Sequence, residues 1–261
     1  LRAHTRHVLQ AARGFGAAYG MAEEPLRAGA LFHDAGKGHP FFQRRLEEEG
    51  RPHNWSYPHR HEISSLLFLP LLPEEEWPGV VEAALAHHKS AKHDASGRGL
   101  LDLKEKWGLG TTFEIHADDC DGSGGKWASW HEEVIKEVLL PLAEEWDVGL
   151  KGTGAVSRDA AESASEWAKD YAVGAPERPS PLRGALMEAD HFASAFRGDT
   201  EEKLESLFSE ADLSSYHSED QEYPLSLKPI DQRSHTLVVA PTGAGKTYAM
   251  LRACSGRVFY V

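Results

Sequence analysis

"LFHDAGKGHPFFQ", from Leu31 to Gln43, places a histidine directly beside an aspartate at the end of an apolar run. Imidazole nitrogens and carboxylate oxygens are both common ligands of transition metals. A single pair such as His33–Asp34 is weak support for a metal site, because such pairs also occur by chance. Its interpretation depends on whether the rest of the chain supplies further ligands. We expect Gly36 to let the backbone turn after the pair.

The composition is that of an ordinary globular protein with two unusual features. The chain has 261 residues, of which 41% are hydrophobic and 26% charged, enough for one large domain or two smaller ones. Its 15 histidines make a transition-metal site worth seeking. The net charge of −13 argues against nucleic-acid binding over the whole surface, although it allows a local basic channel.

No feature of the sequence predicts a membrane or secreted protein. No apolar run approaches the roughly 20 residues that a membrane-spanning helix needs, and no signal peptide opens the chain. The two cysteines, Cys120 and Cys254, are far apart and do not suggest a disulfide framework. We expect a cytoplasmic protein that makes no membrane contact.

Helical periodicity dominates the first 200 residues and predicts a mainly α fold. Apolar residues recur there at spacings of three and four, with Gly and Pro between the periodic segments. The predicted helices span residues 1–20, 25–36, 61–70, 73–89, 128–148, 158–172 and 181–198.

The pattern changes after residue 200. We expect one domain over 1–200, a polar linker over 201–233 and a different fold over 234–261. There, "HTLVVA" and "RVFYV" are typical of buried strands, and a loop and a helix lie between them. This order opens a parallel α/β domain. A unit of this size cannot bury its faces, so we expect the protein to continue beyond it.

The loop in that unit, "APTGAGKT", has the pattern of a phosphate-binding loop. Backbone N–H groups would cradle the phosphates at a helix N-terminus, the lysine would reach the terminal phosphates and the last threonine would bind Mg²⁺. No acidic second motif follows, so we expect no ATP hydrolysis by this chain alone. The nucleotide-binding residues are predicted to be Thr242, Gly243, Ala244, Gly245, Lys246 and Thr247.

Further histidines and carboxylates along the helical region complete a candidate two-metal site. Two cations about 3.5–4 Å apart need a bridging carboxylate, several neutral imidazoles and open positions for water and a phosphate oxygen. Asp34 can bridge, because each of its oxygens can bind one metal. The candidate ligands are His4, His33, Asp34, His61, His87, His88 and Asp190.

The wording of four stretches, "HDAGKGHPFFQ", "RHEISS", "AHHK" and "ADHFASA", resembles the HD phosphohydrolase superfamily. With "APTGAGKT" downstream, the order resembles in particular the HD nuclease domain of the CRISPR-associated nuclease-helicase of type I systems. The resemblance spans essentially the whole chain. It implies an HD-domain helical bundle followed by a truncated RecA-like α/β segment, which begins a superfamily-two helicase.

The resemblance also implies how the ligands are shared. One metal would be held by His4, His33, Asp34 and Asp190, and the other by Asp34, His61, His87 and His88. Lys37 would contact a phosphate or the attacking hydroxide, and Ser194 would touch the substrate. His7 lies three residues from His4 and can reach the same side. We prefer His4 because its separation from Val8 in the sequence matches the spacing in the family.

The implied activity is hydrolysis of single-stranded DNA by a nuclease with two divalent transition metals, Fe²⁺ or Mn²⁺, with Ni²⁺ or Co²⁺ as substitutes. The helicase of the whole protein would use ATP and Mg²⁺ and translocate 3′ to 5′. Its expected partner is the crRNA-guided surveillance complex (Cascade), and we expect a monomer. Two alternatives stay open: an HD phosphohydrolase acting on nucleotides or cyclic nucleotides, and a non-enzymatic domain that only docks the helicase.

Overall fold

Helices form the regular secondary structure of the described part of the chain. The structure is a computed structural model that describes residues 1–47, 60–85, 117, 126–174, 180–208 and 246. The chain divides into two compact units, Leu1–Leu204 and Glu205–Val261. The expectation of a mainly α first domain is confirmed over the described residues, which contain no strand. The predicted strands at 235–240 and 257–261 lie outside them, and the bounds of the three predicted segments stay predictions.

Ten α-helices are described. They are α1 (Arg2–Tyr19), α2 (Glu23–Phe32), α3 (Pro40–Glu47), α4 (His61–Leu66), α5 (Trp77–Val80), α6 (Lys126–Val134), α7 (Leu140–Trp146), α8 (Arg158–Gly174), α9 (Pro181–Phe196) and α10 (Thr200–Leu207). Short 3₁₀ segments lie at Ala35–Gly38, Leu69–Leu71, Glu74–Glu76 and Arg197–Asp199, and π-helical turns at Val81–Leu85 and Ile135–Leu139. No described helix is both long and apolar enough to cross a bilayer.

Several predicted helix ends are wrong. α2 ends at Phe32 rather than near Gly36, because Asp34 has φ −110° and ψ 5°, in the bridge region outside the helical range. α4 ends at Leu66, before the predicted end at Pro70, and a separate 3₁₀ segment covers Leu69–Leu71.

The start of the predicted linker is also helical. α10 covers 200–207, and its Thr200 and Leu204 are buried. These positions are four residues apart and therefore share one helix face. The rest of the predicted linker, from 209 to 233, lies outside the described residues.

α1 forms the centre of the first unit and packs against α2 and α9. Its apolar face buries Val8, Ala12 and Phe15 completely or nearly so, the stripe expected of an amphipathic helix. The Phe15 ring meets the Phe192 ring of α9 edge to face, with centroids 5.6 Å apart. α1 ends at Gly20, whose φ of +66° is the left-handed conformation that glycine adopts without strain.

α9 places a carboxylate against α1. It begins after Ser180, whose hydroxyl accepts from the Arg183 N–H, and Pro181 occupies its first position. Its buried face carries the small residues Ala185, Ala189 and Ala193 beside Asp190. Because alanine side chains allow two helix backbones to approach closely, Asp190 reaches the first turn of α1.

Candidate metal centre

Four separate segments bring their polar side chains to one place in the first unit. His4 lies in the first turn of α1, Asp190 lies on α9, and His61 is the first residue of α4. His33 and Asp34 come directly after α2, where the backbone leaves the helix. His33 and Asp34 are completely buried, so this cluster belongs to the protein core and not to its solvated surface.

His4, His33 and Asp190 form a cluster in which the ligand atoms lie within 4.8 Å of one another. His4 Nε2 is 3.0 Å from Asp190 Oδ1, and His33 Nε2 is 4.0 Å from the same oxygen. The His33 ring is oriented by its Nδ1–H, which donates to the Ala30 carbonyl at 2.7 Å. This hydrogen bond fixes the tautomer and leaves the Nε2 lone pair available to a metal.

The carboxylate of Asp34 faces two different groups of side chains. Its Oδ2 lies 3.4 Å from His4 Nε2 and 3.3 Å from His33 Nε2, whereas its Oδ1 lies 3.3 Å from His61 Nε2. A carboxylate that bridges two metal ions needs one oxygen directed to each set of ligands. The described geometry of Asp34 meets this requirement.

Both carboxylates are held in the charged form. Burial raises the pKa of Asp34, but His33 and His61 with the Lys37 ammonium outweigh it and keep that pKa well below its ordinary value. Burial raises the pKa of Asp190 as well, yet the hydrogen bond from His4 and the charge of His33 lower it to about 2. The centre therefore carries two buried negative charges at neutral pH, which favours cation binding.

The donor set fits a divalent transition metal. Burial lowers the pKa of His33, but the adjacent Asp34 carboxylate outweighs this effect and raises it above the ordinary value. Mixed imidazole and carboxylate donors suit Fe²⁺, Mn²⁺, Co²⁺ or Ni²⁺ better than Mg²⁺, which prefers oxygen ligands. The residues present thus fit the metals that the sequence predicts.

Lys37 lies at the solvent side of this centre. Its ammonium is 2.6 Å from Asp34 Oδ2, and its side chain is 28% exposed whereas that of Asp34 is fully buried. The Gln43 side chain on α3 donates to the Lys37 carbonyl at 2.6 Å, which ties the 3₁₀ segment to α3. A flexible cation at this position can turn from Asp34 to an incoming phosphate.

The structure brings together six of the sequence-predicted site residues. They are His4, His33, Asp34, Lys37, His61 and Asp190, and their functional roles stay predictions. Ser194 lies one turn after Asp190 on α9 and is exposed, and no described contact links it to the cluster. Between the two alternatives on α1, His4 contacts the carboxylates, whereas no described hydrogen bond or ion pair joins His7 to them. His87, His88 and the phosphate loop apart from Lys246 lie outside the described residues, and Lys246 itself is exposed.

Two further residues behind His61 were not predicted. Glu62 is 2% exposed, and its Oε2 lies 3.5 Å from His61 Nδ1, where it can orient the imidazole. Ser65 hydrogen-bonds to the backbone on both sides of Asp34. Ser65 also bonds the His61 carbonyl, a contact with the residue four positions earlier that serine often makes in a helix. No sequence signal indicates its bonds to the backbone around Asp34.

Comparison with known proteins finds similarity to one family over part of the chain. Curated proteins and solved structures gave no match. Asp190 lies outside the stretch that a family model matches, and only the fold brings it to His4. Residues 1–122, which carry the His33–Asp34 pair and His61, match the model of the HD domain family, and over this stretch the chain is similar to that family.

Proposed function

We propose that the first unit is a metal-dependent phosphohydrolase of the HD type that uses two metal ions. The observation that carries this proposal is the carboxylate of Asp34, which directs Oδ2 to His4 and His33 and Oδ1 to His61. The similarity of residues 1–122 to the HD domain family supports it. His87 and His88 follow α5 and the π-helical turn in sequence and complete the proposed second set of ligands.

The protein's own residues divide the work of binding and positioning. His4, His33, Asp34 and Asp190 hold one ion, and Asp34, His61, His87 and His88 hold the other. When bound, the two ions supply a nucleophilic water of lowered pKa and Lewis-acid stabilisation of the phosphate charge. Lys37 moves from Asp34 to the scissile phosphate and neutralises part of its charge.

The proposed substrate is single-stranded DNA, and the proposed setting is type I CRISPR interference. The support is the joint order of "HDAGKGHPFFQ", "RHEISS", "AHHK" and "ADHFASA" ahead of "APTGAGKT". Residues 1–200 are the proposed nuclease, 201–233 the linker and 234–261 the start of a helicase that uses ATP and Mg²⁺. The crRNA-guided surveillance complex would recruit the whole protein, a cytoplasmic monomer, to opened target DNA.

The test is a substrate comparison with the purified chain. Circular single-stranded DNA and a panel of nucleotides and cyclic nucleotides are incubated with Mn²⁺ or Fe²⁺, and products are resolved by electrophoresis and chromatography. We expect cleavage of the DNA circle by the wild-type chain and none by Asp34→Asn. Hydrolysis confined to nucleotides would instead establish the alternative of a nucleotide phosphohydrolase, which the general similarity to the HD domain also allows.

Metal analysis distinguishes the two enzymatic hypotheses, nuclease and nucleotide phosphohydrolase, from the hypothesis of a domain that only docks the helicase. A docking domain needs no resident ions, whereas the proposed centre retains two per chain after purification in metal-supplemented medium. The Asp34→Asn variant provides the matched blank. Equal metal content in the two proteins would contradict the proposed centre.

A further inference from the structure

The hydroxyl of Ser65 joins the two backbone segments that carry Asp34 and His61. Ser65 lies on α4 and is 2% exposed. Its Oγ is 2.9 Å from the His33 carbonyl, 2.9 Å from the His61 carbonyl and 2.9 Å from the Gly36 N–H. The hydroxyl accepts from Gly36 and shares its single proton between the two carbonyls. One side chain therefore fixes the peptides before and after Asp34 to the first turn of α4.

Gly36 makes the same junction possible from the other side. A Cβ atom at Gly36 would lie 2.0 Å from the His61 carbonyl oxygen and 2.7 Å from the Ser65 nitrogen. Both are backbone atoms, which no side-chain rotation can move away. Gly36 lies in the 3₁₀ turn Ala35–Gly38 that follows the His33–Asp34 pair, as the sequence predicts. Among the described glycines only Gly20 has a positive φ, so Gly36 is not needed for the backbone angles of this turn. It is required because the backbone of α4 passes too close for any side chain.

The contacts of Ser65 and Gly36 fix the ligands of one metal position more directly than those of the other. Asp34 Oδ1 and His61 Nε2, 3.3 Å apart, belong to the two joined segments. On the other side, the His33 ring is held by the Ala30 carbonyl, and His4 and Asp190 come from α1 and α9. Movement of α4 would thus change the distance from Asp34 to His61 while His4, His33 and Asp190 keep their places.

We propose that Ser65 and Gly36 are positioning residues that set the second metal position, between Asp34 Oδ1 and His61. This inference rests on the proposed two-metal function. The buried Ser65 hydroxyl and the absence of a side chain at Gly36 set the distance between Asp34 and His61, which these two ligands cannot set by themselves. Mutation of a residue that orients a metal ligand without binding the metal typically lowers metal affinity by about 10- to 100-fold.

The experiment is a Mn²⁺ titration of the full 261-residue chain, followed by equilibrium dialysis and electron paramagnetic resonance. The variants are Ser65→Ala and Gly36→Ala. Ser165→Ala is the matched control, because Ser165 is a buried serine of α8 that makes none of these three contacts. In the wild-type chain and the control we expect two ions per chain and the spectrum of a spin-coupled pair. In both site variants we expect one tight ion with an uncoupled spectrum, and a second ion bound at least about tenfold more weakly.

Each outcome has a separate meaning. Two ions bound with wild-type affinity in Ser65→Ala and Gly36→Ala would overturn the positioning role. Equal weakening of both ions in folded variants would also overturn it, since the effect would then be general. A wild-type chain that binds fewer than two ions would instead refute the proposed two-metal function. If circular dichroism shows that Ser65→Ala is unfolded, Ser65→Cys, which keeps a weak donor and acceptor, is judged by the same criterion.

Discussion

Asp34 Oδ1 lies 3.3 Å from His61 Nε2, while the other oxygen of the same carboxylate faces His4 and His33. This relationship makes Asp34 the only described carboxylate that contacts both sets of imidazoles. Asp190 contacts His4 and His33 alone. The two carboxylates should therefore differ in how many metal ions depend on them.

Asp34→Asn is expected to remove both metal ions, and Asp190→Asn is expected to weaken one. The reason is that the amide introduced by Asp34→Asn cannot bridge two cations. Loss of the Asp190 charge, in contrast, leaves the metal position between Asp34 and His61 unchanged. Each affected ion should bind more than about 100-fold less tightly. This loss exceeds the one typical of mutating a residue that only orients a metal ligand. Inductively coupled plasma analysis and dialysis give the stoichiometry. The exposed Asp159→Asn serves as the control, and equal losses from the two site variants would contradict the prediction.

Lys37→Gln is expected to slow hydrolysis without weakening metal binding. The ammonium lies 2.6 Å from Asp34 Oδ2 and competes with a cation for this oxygen. Without it, metal affinity should stay equal or rise, while the scissile phosphate loses a charge partner. Turnover should fall by about 100-fold or more, the scale of one charge-stabilising group. Lys37→Arg should recover part of the rate, and a loss of bound metal in Lys37→Gln would disprove this separation.

Metal addition is expected to stabilise the first unit. Any ligand that binds only the folded state adds about 2.7 kcal/mol at a concentration 100 times its dissociation constant. For a unit of this size, such a gain raises the unfolding midpoint by several degrees. Differential scanning calorimetry with Mn²⁺, with Mg²⁺ and with EDTA measures the effect. Mn²⁺ should exceed Mg²⁺ because the donors are largely imidazoles, and the wild-type shift should be absent in Asp34→Asn.

His131 predicts a loss of stability in acid that is independent of the metal centre. Its ring is fully buried between Phe68 and Trp127, with centroids 4.4 and 4.3 Å away. Burial and then the neighbouring His39 lower its pKa to about 3 from 6.5. The unfolded chain therefore takes up a proton near pH 6.5, and the folded chain does so only near pH 3. Stability contributed by the neutral ring is complete above pH 6.5 and falls by about 1.4 kcal/mol per pH unit below it.

His131→Phe should remove this part of the pH dependence. Neither ring nitrogen of His131 has a hydrogen-bond partner in the described part of the chain, so phenylalanine should be tolerated at neutral pH. Urea unfolding at pH 7 and pH 5 in the metal-free protein gives the two free energies. The exposed His191→Phe should retain the wild-type dependence. Identical pH slopes for wild type and His131→Phe would contradict the prediction.

A hydrogen-bond network around Glu82 predicts unequal costs for two conservative changes. The Glu82 carboxylate accepts from the Tyr171 hydroxyl at 2.8 Å and from the Ser180 hydroxyl at 2.9 Å. Tyr171→Phe removes one bond to a charged group and should cost about 1–3 kcal/mol. Ser180→Ala removes such a bond and also the N-cap of α9, which adds about 1 kcal/mol. Urea denaturation measures both, with the exposed Ser163→Ala as control; a smaller loss for Ser180→Ala would contradict the expectation.

Periodicity and residue order predicted the helices and the metal-ligand candidates. The stripe on α1 followed from spacing alone, and so did the placement of Asp190 on a helix. The contact between His4 and Asp190 did not follow from periodicity, because it depends on the small alanines that let α9 approach α1. The resemblance to a known family supplied that pairing.

Some helix ends and the buried polar contacts were beyond sequence reasoning. The bridge conformation of Asp34 ends α2 early, and no local residue signal announces it. Gly36 lies in the turn that the sequence predicts, but glycine is required there because the backbone of α4 passes so close, and the sequence does not reveal this contact. No sequence signal marks His131, because Phe68, one of the rings that enclose it, lies far from it in the sequence.

The contact between His4 and Asp190 spans 186 positions. During synthesis, the first turn of α1 leaves the ribosome long before α9 exists, so the nascent chain lacks the acid that closes one end of the centre. Contacts of such separation form late, because the entropy of closing the loop must be overcome first. If the proposed activity holds, a ribosome-bound precursor cannot damage nucleic acid beside it, and hydrolytic competence arises only after nearly the whole first unit has been translated.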